Sequence, residues 1–575
     1  MNDLPETLNQ FAGRLEALER RVDALEHPGA VASEAVALEA SPSQAAATSQ
    51  TLSESVVHGE HTAEAAAGGV FSVLGRAMLG IAGAYLLRAL AESSSLPKTA
   101  VAAVAIVYAL AWLVWASRAK AGDWLAGTIY ACTSALILAP MLWELTLRFK
   151  VLPAAGAAGV VGGFVAAASA LAWKRDFAPV LWVANVTAVA IAFSLGIASH
   201  QVAPFIAVLL LMVLIGEYGT ERGHEAGVRV LVALGADAAI WALLYIYFSP
   251  ESTRTDYPAL GTATLLAPGL GLFLIQAASL IYRTVLKGRT IAVFETIQTV
   301  IAFLLAASSL VYFGPAASAA ALGIFCLVFS GVGYATAFTR FSRAESRRNT
   351  LVFANWSAAL FLAGCLLCLP LFWQSVGLGV AAIAATFASA RLGRLVLEFH
   401  GLVFLLAAAW ISGLLSNNLN ALAGTLPGAP GWNVCLVSVC AVCCFAAIRP
   451  GENLSWKRQL FAIVFAALAI GAVAALVVQG LVALVALKLT PEAHHLAFIR
   501  TLTICAAAIA LAFSGWHWRR LELTRLGYAT LGLLAVKLVT EDLRHGHLAF
   551  IAASIFLVAI TLIVVPRVTR MGQKG

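Results

Sequence analysis

The chain reads as an all-α polytopic transmembrane helix bundle of about eighteen spans behind an N-terminal coiled-coil arm. Three observations predict this. Hydrophobic residues fill 61% of the 575 positions and charged residues 11%, whereas an ordinary soluble domain carries about 25% charged residues. Apolar runs of span length recur from residue 69 to residue 566. The connections between them reach at most about 15 residues, while an independent domain needs roughly 50. Any chemistry must therefore sit among the helices or at their ends.

The first element is a heptad over residues 1–27. Leu4, Leu8, Phe11, Leu15, Leu18, Val22 and Leu25 alternate in steps of four and three, and an apolar seam of period 3.5 asks for a partner helix. Leu8, Phe11, Leu15, Leu18, Val22 and Leu25 are the candidate oligomerisation residues; an amphipathic helix resting on the membrane is the alternative. His27-Pro28-Gly29 ends the pattern. Residues 28–68 are polar and without period, as in a flexible tether. No apolar core of signal-peptide length occurs in the first 67 residues, so the first long helix is the expected insertion signal.

The span domain covers 69–566, and a basic cytoplasmic tail covers 567–575. Hydropathy divides the domain at 69–90, 99–116, 124–146, 153–173, 177–198, 202–217, 229–248, 260–282, 291–313, 316–338, 351–373, 375–390, 395–416, 431–448, 459–487, 496–515, 526–543 and 548–566. With the N-terminus inside, the arm, the tail and the even-numbered connections hold about 27 Lys and Arg, and the odd-numbered ones about 7. A miscounted span would invert the bias downstream, and it does not invert. The positive-inside rule then predicts both termini on the cytoplasmic side. The net charge of +8 comes from these scattered anchors, which argues against a nucleic-acid partner.

All nine cysteines lie in apolar runs, against a disulfide-stapled exterior. Cys365-x-x-Cys368 and Cys440-x-x-Cys443 read as packing residues rather than zinc knuckles. Gly159-x-x-x-Gly163 predicts a close helix contact. Pro140, Pro268 and Pro370 fall inside the predicted spans, and Pro268-Gly269-x-Gly271 is the best candidate for a broken helix.

LGRAMLGIAGAYLLRALAESSSLP at 74–97, behind a coiled coil and a polar tether, and GYATLGLLAVKLVTEDL at 527–543, before one last helix, together resemble a bacterial family of predicted multi-pass membrane proteins known only as a domain of unknown function. The closest matches are the Arg88 position and the Lys537-to-Asp542 spacing. The resemblance implies the architecture and brings no activity, substrate or catalytic residue.

Ionisable residues inside spans cost about 2.5–3.5 kcal/mol each on insertion scales and mark sites or buried bridges. Toward the cytoplasmic half lie Arg76, Asp237, Glu295 and Gln298. Arg76, Gly80 and Gly83 share one face, with Asp237 and Glu295 as the expected partners of Arg76. Toward the outer half lie Glu144, Arg500, Lys537, Glu541 and Asp542. Lys537 and Glu541 are i, i+4 neighbours that can satisfy each other, and Arg500 with Lys537 could instead hold an anionic head group. Arg76, Asp237, Glu295, Arg500, Lys537, Glu541 and Asp542 are thus the substrate or polar-pathway candidates. No metal centre or other cofactor is expected; His545 and His547, near His494, His495 and Glu492, form the weak metal-binding alternative. Phosphate loops, nucleophile elbows and metalloprotease helices are absent from the sequence.

Function is accordingly expected to be non-enzymatic, with no catalytic residues assigned. The first reading is a transporter or lipid-handling protein of the cell envelope, with membrane lipids as partners. The alternatives are a scaffold that self-associates or docks a protein through residues 1–27, and, less expected, an intramembrane enzyme.

Overall fold

A computed structural model of the protein describes residues 72–571 except 91, 93–96, 120–123, 225, 251–254, 344–345, 425–427, 449–455, 488–489, 491 and 546. The predicted arm and tether lie outside the described residues. Within lipid no water satisfies a backbone amide, so an apolar run closes its hydrogen bonds within itself and becomes a helix. Among the described residues there are nineteen helices and no strands. In chain order they are α1 (Ser72–Leu90), α2 (Lys98–Ser117), α3 (Trp124–Arg148), α4 (Ala154–Arg175), α5 (Ala178–Ala198), α6 (Val202–Glu221) and α7 (Gly227–Phe248). Then follow α8 (Thr262–Leu286), α9 (Val293–Phe313), α10 (Ser318–Phe341), α11 (Arg347–Cys368), α12 (Leu371–Leu392), α13 (Leu395–Ile411), α14 (Leu414–Ala423) and α15 (Trp432–Ala447). The last four are α16 (Trp456–Ala486), α17 (Ala493–His517), α18 (Leu521–Asp542) and α19 (Leu548–Met571).

Sixteen of these are long and apolar enough to cross a membrane; α13 and α14 form one further pair bent by 67°, and α15 is a shorter apolar helix. Every predicted segment thus falls on a helix, and the protein is a multi-pass membrane protein. Two boundaries differ from expectation. Pro370 precedes α12 as its N-cap rather than lying inside a span, where its fixed φ suits a helix start. The basic tail begins as helix, since α19 continues to Met571.

Surfaces and interiors divide as a lipid solvent requires. Leu79, Val107, Leu136, Leu214, Val328 and Ile563 are exposed, whereas Ala109, Ala168, Ala302, Ala408, Ala472 and Ala508 are buried. Lipid already solvates large apolar side chains, so small residues collect where backbones approach one another. Four helices end in a π-helical turn, at Glu144–Arg148, Tyr282–Leu286, Ala337–Phe341 and Leu538–Asp542. Each of these turns carries charge, and its i→i+5 bonding alters which side chains share a face.

The described residues fall into two compact units: those up to residue 152 with 167–187, and 153–166 with those from residue 188 onward. In the first, α1 lies close on α2, because a Cβ at Gly80 would collide with the Trp112 ring and one at Gly83 would lie 2.6 Å from the Tyr108 hydroxyl. Tyr108 donates to the Gly80 carbonyl at 3.1 Å, tying the same two helices. In the second unit, Gly159 and Gly163 face open space, and Gly162 makes the approach instead, toward Leu211 of α6. The helical repeat, not the motif spacing, decides which glycine meets a neighbour. Cys365, Cys440 and Cys444 pack in the apolar core formed largely by α11–α16, and all nine cysteines are free.

α8 passes through Pro268 without a break. The break lies instead between α13 and α14, where Gly413 has φ 75°, a left-handed conformation that glycine adopts without a Cβ penalty. The half-helix α14 is polar, with Ser416, Asn417, Asn418 and Asn420. Asn417 accepts a hydrogen bond from Gln479 of α16 at 2.8 Å.

Candidate functional site

Arg76 is exposed and donates to the Tyr130 hydroxyl at 3.5 Å within the first unit. Asp237 and Glu295, its expected partners, belong to the second unit, where Gln298 binds the one and Arg229 and Arg283 the other. Arg76 lies near the start of α1, where a long side chain can reach outward instead of entering a helix contact. Glu144, also in the first unit, pairs with Arg88 at 2.8 Å, and Arg148 pairs with Glu92 at 2.9 Å.

In the second unit the polar residues gather in two clusters. The first joins α6, α7, α8 and α9. Arg283 binds Glu295 at 2.7 Å and Glu217 at 3.0 Å, and also Glu221. Arg229 binds Glu217 at 2.6 Å and Glu295 at 3.4 Å. Ser279 donates at 2.6 Å to the Glu217 oxygen that Arg283 also binds, and Glu295 accepts from the Ala292 amide at 3.0 Å, capping its own helix. Two guanidiniums thus lie among three carboxylates, with Arg289 of the following connection 3.8 Å from Glu221. Asp237 stands deeper and accepts from the Gln298 amide at 2.9 Å. In the sequence Arg229 and Arg283 count among the basic anchors, because they lie near helix ends.

The second cluster joins α14, α17, α18 and α19. Arg500 is buried beneath the C-terminal end of the half-helix α14. Its Nε donates to the Ala421 carbonyl at 2.7 Å, and its Nη2 to the carbonyls of Gly424 at 2.7 Å and Asn420 at 3.1 Å. Those carbonyls lie at the end of a helix, where Asn420 also accepts from the Gly424 amide at 3.1 Å, and the negative end of the helix dipole favours a cation there. Nη1 binds Glu541 at 2.6 Å, so one guanidinium ties the broken helix to α18.

Lys537 is satisfied in the same manner. Its three N–H groups reach the Ala497 carbonyl at 2.7 Å, the Thr501 hydroxyl at 2.5 Å and Asp542 at 2.8 Å. Glu541, the partner expected at i+4, lies 3.5 Å away. The π-helical turn explains the preference for Asp542, since i→i+5 winding brings position 542 beneath position 537. Asp542 also accepts from Thr501 at 2.9 Å and from Ser554 of α19 at 3.3 Å. Thr501 and Ser554 are ordinary polar residues in apolar helices, and nothing in their spacing marks them as partners.

Beside this cluster lies a groove of about 1030 Å³ between α14, α16, α17 and α18. On α17 it is lined at Leu496, Arg500, Ile504, Ala507 and Leu511, and on α18 at Leu526, Ala529, Leu533, Val536 and Thr540. Both sets follow the three- and four-residue steps of one helix face. Glu492, Arg500, Lys537, Thr540 and Glu541 are gathered at one end, and the rest of the wall is apolar save for Thr530. From Leu526 to Thr540 the groove runs about 21 Å along α18, at 1.5 Å rise per residue. A second, almost wholly apolar groove of about 590 Å³ shares Ile470, Ala474, Ala507 and Leu511 with it.

The histidine group carries less. The His494 and His547 rings lie 5.6 Å apart, and His494 contacts Glu492 at 3.2 Å. The side chain of His545 lies outside what is described. Among the described residues no group of three or more His, Cys, Asp or Glu is placed to hold a metal. Sequence reading passed over His400, a buried residue of α13 whose ring nitrogens meet the Tyr334 hydroxyl at 3.0 Å and the Asn355 carboxamide at 2.9 Å. That bridge holds α10, α11 and α13 together.

No family model, curated protein or solved structure matches the chain.

Proposed function

We propose that the protein binds and handles a lipid-like amphiphile within the bilayer, in the groove between α14, α16, α17 and α18. One observation carries this reading: the groove has a polar group of side chains at one end and an apolar wall along the rest of its length. Its volume of about 1030 Å³ lies at the upper end of small-molecule sites. Its length of about 21 Å exceeds one leaflet of hydrocarbon, about 15 Å. Leu533 and Val536 of the lining are among the exposed residues, so a chain can enter from the side. In this reading the polar end faces the outer leaflet of a bacterial inner membrane, as expected from the positive-inside pattern. The broken helix whose end forms part of the wall is the kind of element that builds substrate sites in transporters, which favours handling over static scaffolding. In this reading the buried charges position the wall and do no catalysis.

The test is lipid retention. Full-length protein purified in mild detergent is expected to keep about one lipid molecule per chain by mass spectrometry. Ala529→Trp puts an indole into the groove from an exposed position and is expected to lose it. Equal retention by both proteins would refute the reading.

A further inference from the structure

We propose that the polar end of this groove selects an amphiphile with an ammonium head group over an anionic one. The inference rests on the amphiphile reading above and names the class of ligand. Basic residues line this end, yet they are turned inward and fully employed. The side chain of Arg500 is 2% exposed and that of Lys537 9%. Arg500 holds the carbonyls of the half-helix, and each N–H of Lys537 already has an acceptor. An anionic head group would have to draw one of these donors away, leaving a buried carbonyl or carboxylate without a partner.

The charge a ligand meets is acidic. Glu541 is 20% exposed while bound to Arg500, and Glu492 at the mouth is 65% exposed with His494 at its side. The hydroxyl-bearing Thr540 completes this rim. An ammonium offers three N–H donors and no acceptor, the complement of a rim of carboxylate and hydroxyl oxygens. One charge-assisted contact of this kind corresponds to roughly tenfold in affinity.

Two lipids with identical acyl chains provide the test: phosphatidylethanolamine and phosphatidylglycerol. Both carry the phosphate, and they differ in the ammonium. Titrated into delipidated full-length protein and read by native mass spectrometry, the ethanolamine lipid is expected to bind about tenfold tighter. Glu492→Gln, an isosteric change at an exposed residue, is expected to reduce that ratio to about threefold or less. Equal or tighter binding of the glycerol lipid would overturn the selectivity, as would a preference that Glu492→Gln leaves unchanged. Ala529→Trp separates the two levels of the argument. If it removes binding of both lipids, the groove stands whatever the ranking; if neither lipid binds the wild-type protein, or both bind Ala529→Trp as well as wild type, groove and selectivity fall together.

Discussion

The cluster around Arg283 and the cluster around Arg500 use the same residue types at similar burial, and they are built to different ends. Around Arg283, two guanidiniums and three carboxylates from four helices face one another, and neither groove reaches them. Around Arg500, the pairs are equally complete on the inner side, but Glu541 also faces a groove with apolar walls. Burial of charge in a membrane helix is therefore no mark of function by itself. What marks the Arg500 cluster is that its paired charges border space that an amphiphile could fill. Substitutions at Arg283, Arg500, Thr501 and Ala529 would break or sharpen that contrast.

The largest effect is expected at Arg283. Replacing it with Met leaves Glu217, Glu221 and Glu295 with Arg229 and the exposed Arg289, so buried carboxylates lose their compensation. A broken buried pair costs about 3–5 kcal/mol, which would show as a collapse in folded yield or in denaturant midpoint in detergent. Adding Glu295→Gln should recover part of the loss, since neighbouring members of one network are not additive. Lipid retention by whatever protein remains folded should be unchanged.

Arg500→Met comes next, at roughly 2–4 kcal/mol. It takes the guanidinium away from three carbonyls and one carboxylate, but Asn420 keeps the Gly424 amide as donor, and Glu541 is partly exposed and keeps Lys537 nearby. Unlike the first substitution, it should also lower lipid retention, because the end of α14 forms part of the groove wall. Arg500→Lys preserves the charge and loses the fork that reaches several acceptors at once, so it should fall between wild type and Arg500→Met in both readouts.

The reach of sequence reasoning divides along the same line. The helices are legible because hydropathy is a one-dimensional property: each predicted segment lies on a helix, and even the short segments 202–217 and 375–390 lie on α6 and α12. The ionisable residues in mid-span were legible too, because lipid makes them costly wherever they point. Their partners were not. Glu217, Arg229 and Arg283 sit near helix ends, where hydropathy reads a charge as an anchor, and only packing of α6 to α9 brings them together. The broken helix left a signal that was passed over: Ser412-Gly413 followed by Ser416, Asn417, Asn418 and Asn420 is a polar stretch inside an otherwise apolar run. Pro268 drew attention instead, yet a proline lacking one hydrogen bond is tolerated in a packed helix, while a left-handed glycine is not helical at all.

Thr501→Val tests the inner side of the groove cluster alone. The hydroxyl accepts from Lys537 and donates to Asp542, and its loss at constant shape should cost about 1–3 kcal/mol, read as a lowered denaturant midpoint. Lipid retention should hold, because Lys537 keeps Ala497 and Asp542 as acceptors and the wall does not move. A strong loss of lipid with this variant would mean that the paired charges and the groove are one device, and the contrast between the two clusters would have to be redrawn.

The smallest effect on stability is the most informative. Ala529 is an exposed residue on the groove-facing side of α18, away from every hydrogen bond of the Arg500 cluster, so Ala529→Trp should shift stability by no more than about 0.5 kcal/mol. It nevertheless fills space that a chain would occupy. Function read from buried charge predicts no consequence, since no charge is touched. Function read from bordered space predicts loss of bound lipid with the fold intact. The ordering of the four variants by stability and by lipid retention should therefore differ: Arg283→Met is first by stability and spares lipid in the folded fraction, and Ala529→Trp is last by stability and loses it. If the two orderings coincide, the groove is only a packing defect beside a structural ion pair, and the two clusters are of one kind.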